Sequence, residues 1–319
     1  MRARLWISGM VALIWAVTTV NSSAVSYQTV SYWDGSTTSS NTILTGISGD
    51  LVVGNSNYEG IDQGFVYSIQ SQTFSAVSIG TPANYVQAYG ISGNQVVGAY
   101  GDETNSYGYI LNLSTSNLTV LDAGTRLYGI SGNYAVGVRN DSESFIYDIG
   151  AQDPDLSYFT LQFESNGTSY ATTVRAISGN KVVGYYDVDQ DDTRGFIYTF
   201  TSDMKVGTFE TFEATEASTV TQIFGISSDD KLVGNYSEGS TFNSFLIDGA
   251  EKTDLSDPDA SQTNINGIDG EKAVGSASKQ EQTVGVIAQV PEPTTYVLIT
   301  LGMLVMAVSR CKARFSRQS

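Results

Sequence analysis

Carboxylates at Asp187, Asp189 and Asp191, in the run DVDQDDTRG at 187–195, have the alternate spacing by which a loop wraps oxygen ligands around Ca2+. Asp192 and Tyr198 stand where an EF-hand-like loop uses a glycine and a bidentate glutamate, so a solvated acidic loop is the competing reading. Ca2+ at these three residues is the one cofactor the sequence suggests. A second constellation is Tyr89, Tyr128, Arg175 and Phe224, each just before the glycine or alanine of a recurring phrase. Aromatic rings with one cation can stack on a sugar, or pack as core between repeats. Histidine is absent, which excludes Ser-His-Asp and Cys-His catalysis and imidazole metal sites. Glycoside hydrolysis needs two carboxylates about 5 to 10 Å apart. The dipeptides leading into the phrase (44–45, 88–89, 127–128, 174–175, 223–224 and 265–266) hold no acid, and only Asp269 comes near. The expectation is a protein that is not an enzyme.

The phrase that organises these residues is GISGDLVVG at 46–54. It recurs as GISGNQVVG at 90–98, GISGNYAVG at 129–137 and AISGNKVVG at 176–184, then as GISSDDKLVG from 225 and GIDGEKAVG from 267. The spacing is close to 44 residues, in the range of propeller blades. Each phrase reads as a hairpin, with Gly-Asn or Gly-Asp as a type II′ turn. A third strand follows: GFVYSI at 64, GYILNL at 108, SFIYDI at 144, GFIYTF at 195, SFLIDG at 244 and VGVIAQ at 284. A fourth is weaker: TFSAVSI at 73, NLTVLD at 117, SYFTLQF at 157, GTFETF at 207 and KTDL at 252. The sixth unit has no fourth strand of its own, whereas SYQTVSYW at 26–33 is unassigned. These patterns predict an all-β, six-bladed β-propeller closed by the N-terminal strand. The repeats resemble the HAF-repeat family of extracellular proteins over nearly all of 25–289. That family's His-Ala-Phe is replaced here, for example by Gln63-Gly64-Phe65 and Arg194-Gly195-Phe196.

Both ends read as targeting segments. Residues 1–24 carry Arg2 and Arg4, an apolar stretch and small residues at 22–24, the order of a secretory signal peptide. Residues 294–309 are uncharged and reach about 24 Å as a helix, enough for a single transmembrane span. Arg310, Lys312, Arg314 and Arg317 follow as a basic stop that stays in the cytoplasm. Val290, Pro291, Glu292 and Pro293 precede the span. This order, Pro-Glu-Pro, apolar helix, basic cluster, resembles the PEP-CTERM sorting signal over the tail 290–319. The resemblance implies an exosortase as partner, anchoring in the inner membrane before the tail is processed, then the cell surface or extracellular matrix as destination.

Between these ends 10 basic residues face 32 acidic ones, a net of −22. Such a surface repels nucleic acid and keeps an exported domain soluble. The single cysteine, Cys311, lies in the tail, so no disulfide braces the repeats. The leading expectation is an exported surface or matrix protein. The alternative is a propeller that binds exopolysaccharide, and the third is an enzyme acting on polysaccharide.

Overall fold

In the phrase at 90–98, apolar residues flank a Gly-Asn pair, and a chain so patterned turns back on itself. The computed structural model describes residues 24–32, 39, 41–58, 61–81, 83–102, 104–152, 157–165 and 167–291. In it Gly93 has φ +56° while Asn94 stays in the ordinary region, the combination a type II′ turn requires. Among the described residues every regular element is a β-strand.

The N-terminal strand β1 (Ser26–Val30) comes first. Unit one is β2 (Thr42–Ser48), β3 (Leu51–Tyr58), β4 (Ile61–Ser68) and β5 (Thr73–Ala76). Unit two is β6 (Tyr85–Ser92), β7 (Gln95–Gly101), β8 (Ser106–Asn112) and β9 (Leu118–Ala123). Unit three is β10 (Thr125–Ser131), β11 (Tyr134–Arg139), β12 (Glu143–Asp148) and β13 (Tyr158–Thr160). A small hairpin, β14 (Phe163–Ser165) and β15 (Thr168–Tyr170), precedes unit four. Unit four is β16 (Thr172–Ser178), β17 (Lys181–Asp187), β18 (Thr193–Phe200) and β19 (Gly207–Phe212). Unit five is β20 (Val220–Ile226), β21 (Leu232–Glu238), β22 (Thr241–Asp248) and β23 (Glu251–Asp254). Last come β24 (Gln262–Asp269), β25 (Lys272–Lys279) and β26 (Gln282–Gln289).

Within each unit the strands pair antiparallel in chain order. The last three strands take β1 as their fourth, in the order β1-β26-β25-β24, with Ser26 opposite Gln289 and Val30 opposite Gly285. Single parallel bridges, Gln63 to Val86 and Thr193 to Val220, join units one and two, and units four and five, into eight-stranded sheets.

Three columns of the repeat make the core. Leu44, Ala88, Leu127, Val174, Ile223 and Ile265 on the first strands are fully buried. So are the second valines of the phrase, such as Val53 and Val97, and the third-strand aromatics Phe65, Tyr109, Phe145, Phe196 and Phe245. Burying each valine, leucine, isoleucine or phenylalanine among them contributes about 1.5–3 kcal/mol. The clusters span neighbouring units: Val97 and Ile110 of unit two pack with Leu127 and Phe145 of unit three. Val274 and Ile287 of the last strands pack with Leu44 and Phe65 of the first unit.

The run expected as unit three's fourth strand, SYFTLQF, divides in two. Only β13 pairs with β12, and the following residues form the β14–β15 hairpin. Phe163 draws the chain away, with its ring 4.7 Å from Tyr186 and 5.2 Å from Phe209, both of unit four.

Residues Val25–Val290 form one compact unit. The expected signal peptide at 1–24 (Ala24 aside), the span at 294–309, and Glu292, Pro293, Arg310, Lys312, Arg314 and Arg317 lie outside the described residues. Among the described residues no helix is long and apolar enough to cross a membrane.

Candidate functional site

The first strand of every unit carries a β-bulge at the same place, between Leu44 and Gly46, Ala88 and Gly90, Leu127 and Gly129, Val174 and Ala176, Ile223 and Gly225, and Ile265 and Gly267. A bulge leaves one residue out of the ladder and re-aims its side chain. The residue left out is Thr45, Tyr89, Tyr128, Arg175, Phe224 or Asn266, and all six line one central cavity of about 240 Å3. The expected quartet Tyr89, Tyr128, Arg175 and Phe224 is therefore brought together. Its rings serve one another first. Tyr89 and Tyr128 meet edge to face at 5.1 Å. The Arg175 guanidinium lies over Tyr128 at 5.0 Å, Phe224 at 5.2 Å and Tyr185 at 5.4 Å, and its Nη2 donates to the Tyr185 hydroxyl at 3.0 Å.

A larger cavity, about 1010 Å3, opens beside it. It is lined by Asn57, Asp62, Asn84, Tyr85, Gln87, Tyr89, Asp102, Asn105, Arg126, Asn140 and Asp141, among others. This volume is at the upper end for small-molecule sites. Its walls come from the facing ends of β3 and β4, from the loops between second and third strands in units two and three, and from the starts of β6 and β10. The polar groups are ordered by one another. Asn57 Nδ2 and Gln87 Nε2 donate to the two oxygens of Asp62 at 2.7 and 2.8 Å, and the Tyr89 hydroxyl donates to Gln87 Oε1 at 2.5 Å. This chain runs from the large cavity to the central one. Burial, then the neighbouring Tyr128, pushes the Tyr89 phenol above its ordinary value, which keeps it a donor. Asp102 Oδ1 accepts the backbone N–H groups of Thr104 and Asn105, each at 2.8 Å, and these hold its carboxyl below the usual range. Arg126 Nη1 faces Asp141 Oδ1 at 3.3 Å.

Sequence reasoning missed this cavity because its acids stand at or beside the turns between second and third strands, whereas the dipeptides before the phrase were searched. One signal was available. Two residues upstream of the bulge position stand Ile43, Gln87, Arg126, Thr173, Gln222 and Asn264, polar in five of six units and half-buried in all.

The acidic run at 187–195 departs from the Ca2+ expectation. Asp189 Oδ1 accepts the backbone N–H groups of Asp191 and Asp192 at 2.9 Å each, Asp187 Oδ1 accepts the Thr193 hydroxyl at 2.8 Å, and Asp192 pairs with Arg194 at 2.9 Å. Among the described residues no group of three or more His, Cys, Asp or Glu side chains is arranged to hold a metal ion. Asp189 closes its turn as Asp102 does.

No protein-family model matches the chain, and no curated protein matches its sequence. Solved structures do match. A structural-genomics protein of unknown function from Bacteroides thetaiotaomicron is 12% identical, with a TM-score of 0.50 over 83% of this chain and 76% of its own. An oligogalacturonate lyase in complex with manganese is 11% identical, with a TM-score of 0.46 over 84% and 97%. The β-propeller domain of the trilobed protease from Pyrococcus furiosus, described as having an open velcro topology, is 11% identical, with a TM-score of 0.41 over 81% and 85%. The fold is all-β with propeller-like sheets. The expectation that the chain is not an enzyme does not stand: its structural neighbours include enzymes, and the absence of acids on the first strands does not extend to the loops that line the large cavity.

Proposed function

We propose that this chain is an exported glycan-binding protein whose six four-stranded units form a closed, six-bladed propeller. The cavity that Tyr85, Gln87 and Asn105 help to line is its binding site. The lining carries the reading. Amides and carboxylates offer both donors and acceptors, which sugar hydroxyls need, and Tyr85 and Tyr89 offer ring surface for the apolar face of a pyranose. Closure is supported by the β1–β26 pairing and by Asn266 Nδ2, which donates to the Leu44 carbonyl at 2.8 Å from the last unit to the first. The exosortase-type tail from Val290 supplies the route. It holds the chain at the inner membrane until processing, after which the domain reaches the surface or the exopolysaccharide matrix.

Calorimetric titration of the purified chain with neutral oligosaccharides tests the binding. Tyr85→Ala and Asn105→Ala should each weaken it at least about tenfold, equivalent to about 1.4 kcal/mol. Absence of binding to any of a broad glycan set overturns the reading. For the tail, alanine at Pro291, Glu292 and Pro293 should retain the chain in the inner-membrane fraction, and unchanged surface delivery overturns that part.

A further inference from the structure

Four arginines lie among the described residues, and three of them face a carboxylate: Arg126 meets Asp141, Arg139 meets Glu143, and Arg194 meets Asp192 and Glu213. Arg175 does not. Its polar contact is the Tyr185 hydroxyl, its flat faces are held by aromatic rings, and its Nε is buried without a hydrogen-bond partner. With the other five bulge residues it lines both the central cavity of about 240 Å3 and a smaller one of about 70 Å3 on the glycine side of the bulges. A guanidinium stays charged at all relevant pH, and its planar fork matches a carboxylate bidentately. The rings of Tyr128, Tyr185 and Phe224 fix its orientation, yet they cannot accept the hydrogen bond that Nε offers.

We infer that Arg175 is a carboxylate-binding residue, and that the central cavity takes an organic acid, either a small free carboxylate or the acid group of a sugar, with the carboxylate on the guanidinium. The neighbours suit that orientation. Thr45 and Asn266 line the same cavity, and each already donates to a backbone carbonyl, Thr45 Oγ1 to Ala88 O and Asn266 Nδ2 to Leu44 O, both at 2.8 Å. Their oxygens remain as acceptors, which select hydroxyl donors around the acid. This site shares only Tyr89 with the neutral-sugar site proposed in the large cavity, and the argument for it does not depend on that site.

The test compares acetate, glucuronate and neutral methyl glucoside on the wild-type chain, by calorimetry and by the 15N–1H signal of Arg Nε at about physiological salt. Glucuronate or acetate should shift one Arg Nε resonance, whereas methyl glucoside, bound in the large cavity, should leave it in place. Binding of both acids identifies a site for free carboxylates, and binding of glucuronate alone identifies an acidic sugar. Arg175→Gln should remove the acid binding and Arg175→Lys should weaken it, whereas Tyr85→Ala should leave it unchanged. No shift of an Arg Nε resonance with either acid, or full acid binding by Arg175→Gln, overturns the assignment. The wild-type Arg Nε signal decides the matter even if a substitution at Arg175 prevents folding.

Discussion

The carboxylate of Asp269 accepts a hydrogen bond from the backbone amide of Gly49 at 2.6 Å, across 220 residues of sequence. The same contact recurs along the chain with serine as the acceptor: Ser48 takes the Gly93 amide at 3.0 Å and Ser131 takes the Gly179 amide at 2.9 Å. The third residue of the repeated phrase is therefore a clasp on the turn of the next unit, and the last unit substitutes an acid for the hydroxyl. Replacing Asp269 by Ala should lower stability by about 1 kcal/mol, whereas Asp269→Ser should keep most of it. Urea denaturation monitored by circular dichroism measures both, and equal losses for the two variants would contradict the clasp.

Gly98 is the glycine that ends the phrase, and a Cβ there would lie 1.9 Å from the carbonyl oxygen of Gln87. The carbonyl belongs to the strand that bulges beside it, so the bulge and the missing side chain depend on one another. Gly98→Ala should cost about 1–3 kcal/mol through forced backbone movement. It should also disturb Gln87 and the hydrogen bond it accepts from Tyr89. The checks are the denaturation midpoint and, separately, neutral-glycan affinity; a neutral substitution would sink the argument.

Burial, with Asp257 and Asp254 nearby, pushes the Tyr27 phenol up to about 12, and burial, with Asp122 nearby, does the same to Tyr158. A phenol whose folded pKa exceeds its unfolded value of about 10 binds its proton more tightly in the native state. Its contribution is fully present below pH 10 and is lost as the pH climbs towards 12. Alkaline titration followed by phenolate absorbance should show these rings ionising late and together with loss of strand signal. Ionisation of every tyrosine near pH 10 in a still-folded chain would refute it.

At the acid end Glu143 behaves oppositely. Hydrogen bonds from Arg139, then from Thr160, hold its carboxyl below the usual range. Its stabilising effect is present above the ordinary glutamate pKa and disappears as the pH falls through its lowered value. Glu143→Gln should therefore flatten the acid limb of the stability curve, as read from melting temperatures between pH 6 and 2, and an unchanged limb would discount the pair.

The strands were legible in the sequence because each repeats a two-residue alternation between fixed glycines. Their regularity even exposed the absent fourth strand after VGVIAQ, which pairing of β26 with β1 supplies. Position also made Tyr89, Tyr128, Arg175 and Phe224 a set before any geometry was known. Their mutual use was not legible, since stacking of Arg175 on three rings depends on the bulge that turns each one inward. The large cavity escaped for a different reason. Asn57 and Asp62 sit at the facing ends of β3 and β4, and Asp102 and Asp141 in the loops after β7 and β11, where the sequences do not repeat, so no alignment column marks them. For the alternating acids at 187–191 the sequence showed the spacing but not the backbone amides of Asp191 and Asp192 that Asp189 accepts.

The pairing of β1 with β26 sets the direction in which this molecule resists force. Ser26 and Gln289 lie directly opposite one another in antiparallel strands, so tension between those two points peels the ladder one rung at a time from its open end. Tension carried by β26 against the body of the sheet is met differently, because β25 grips its other edge along eight residue pairs that must slide together. A domain held by its C-terminal side alone would ride out drag that would unzip the same domain stretched from both ends.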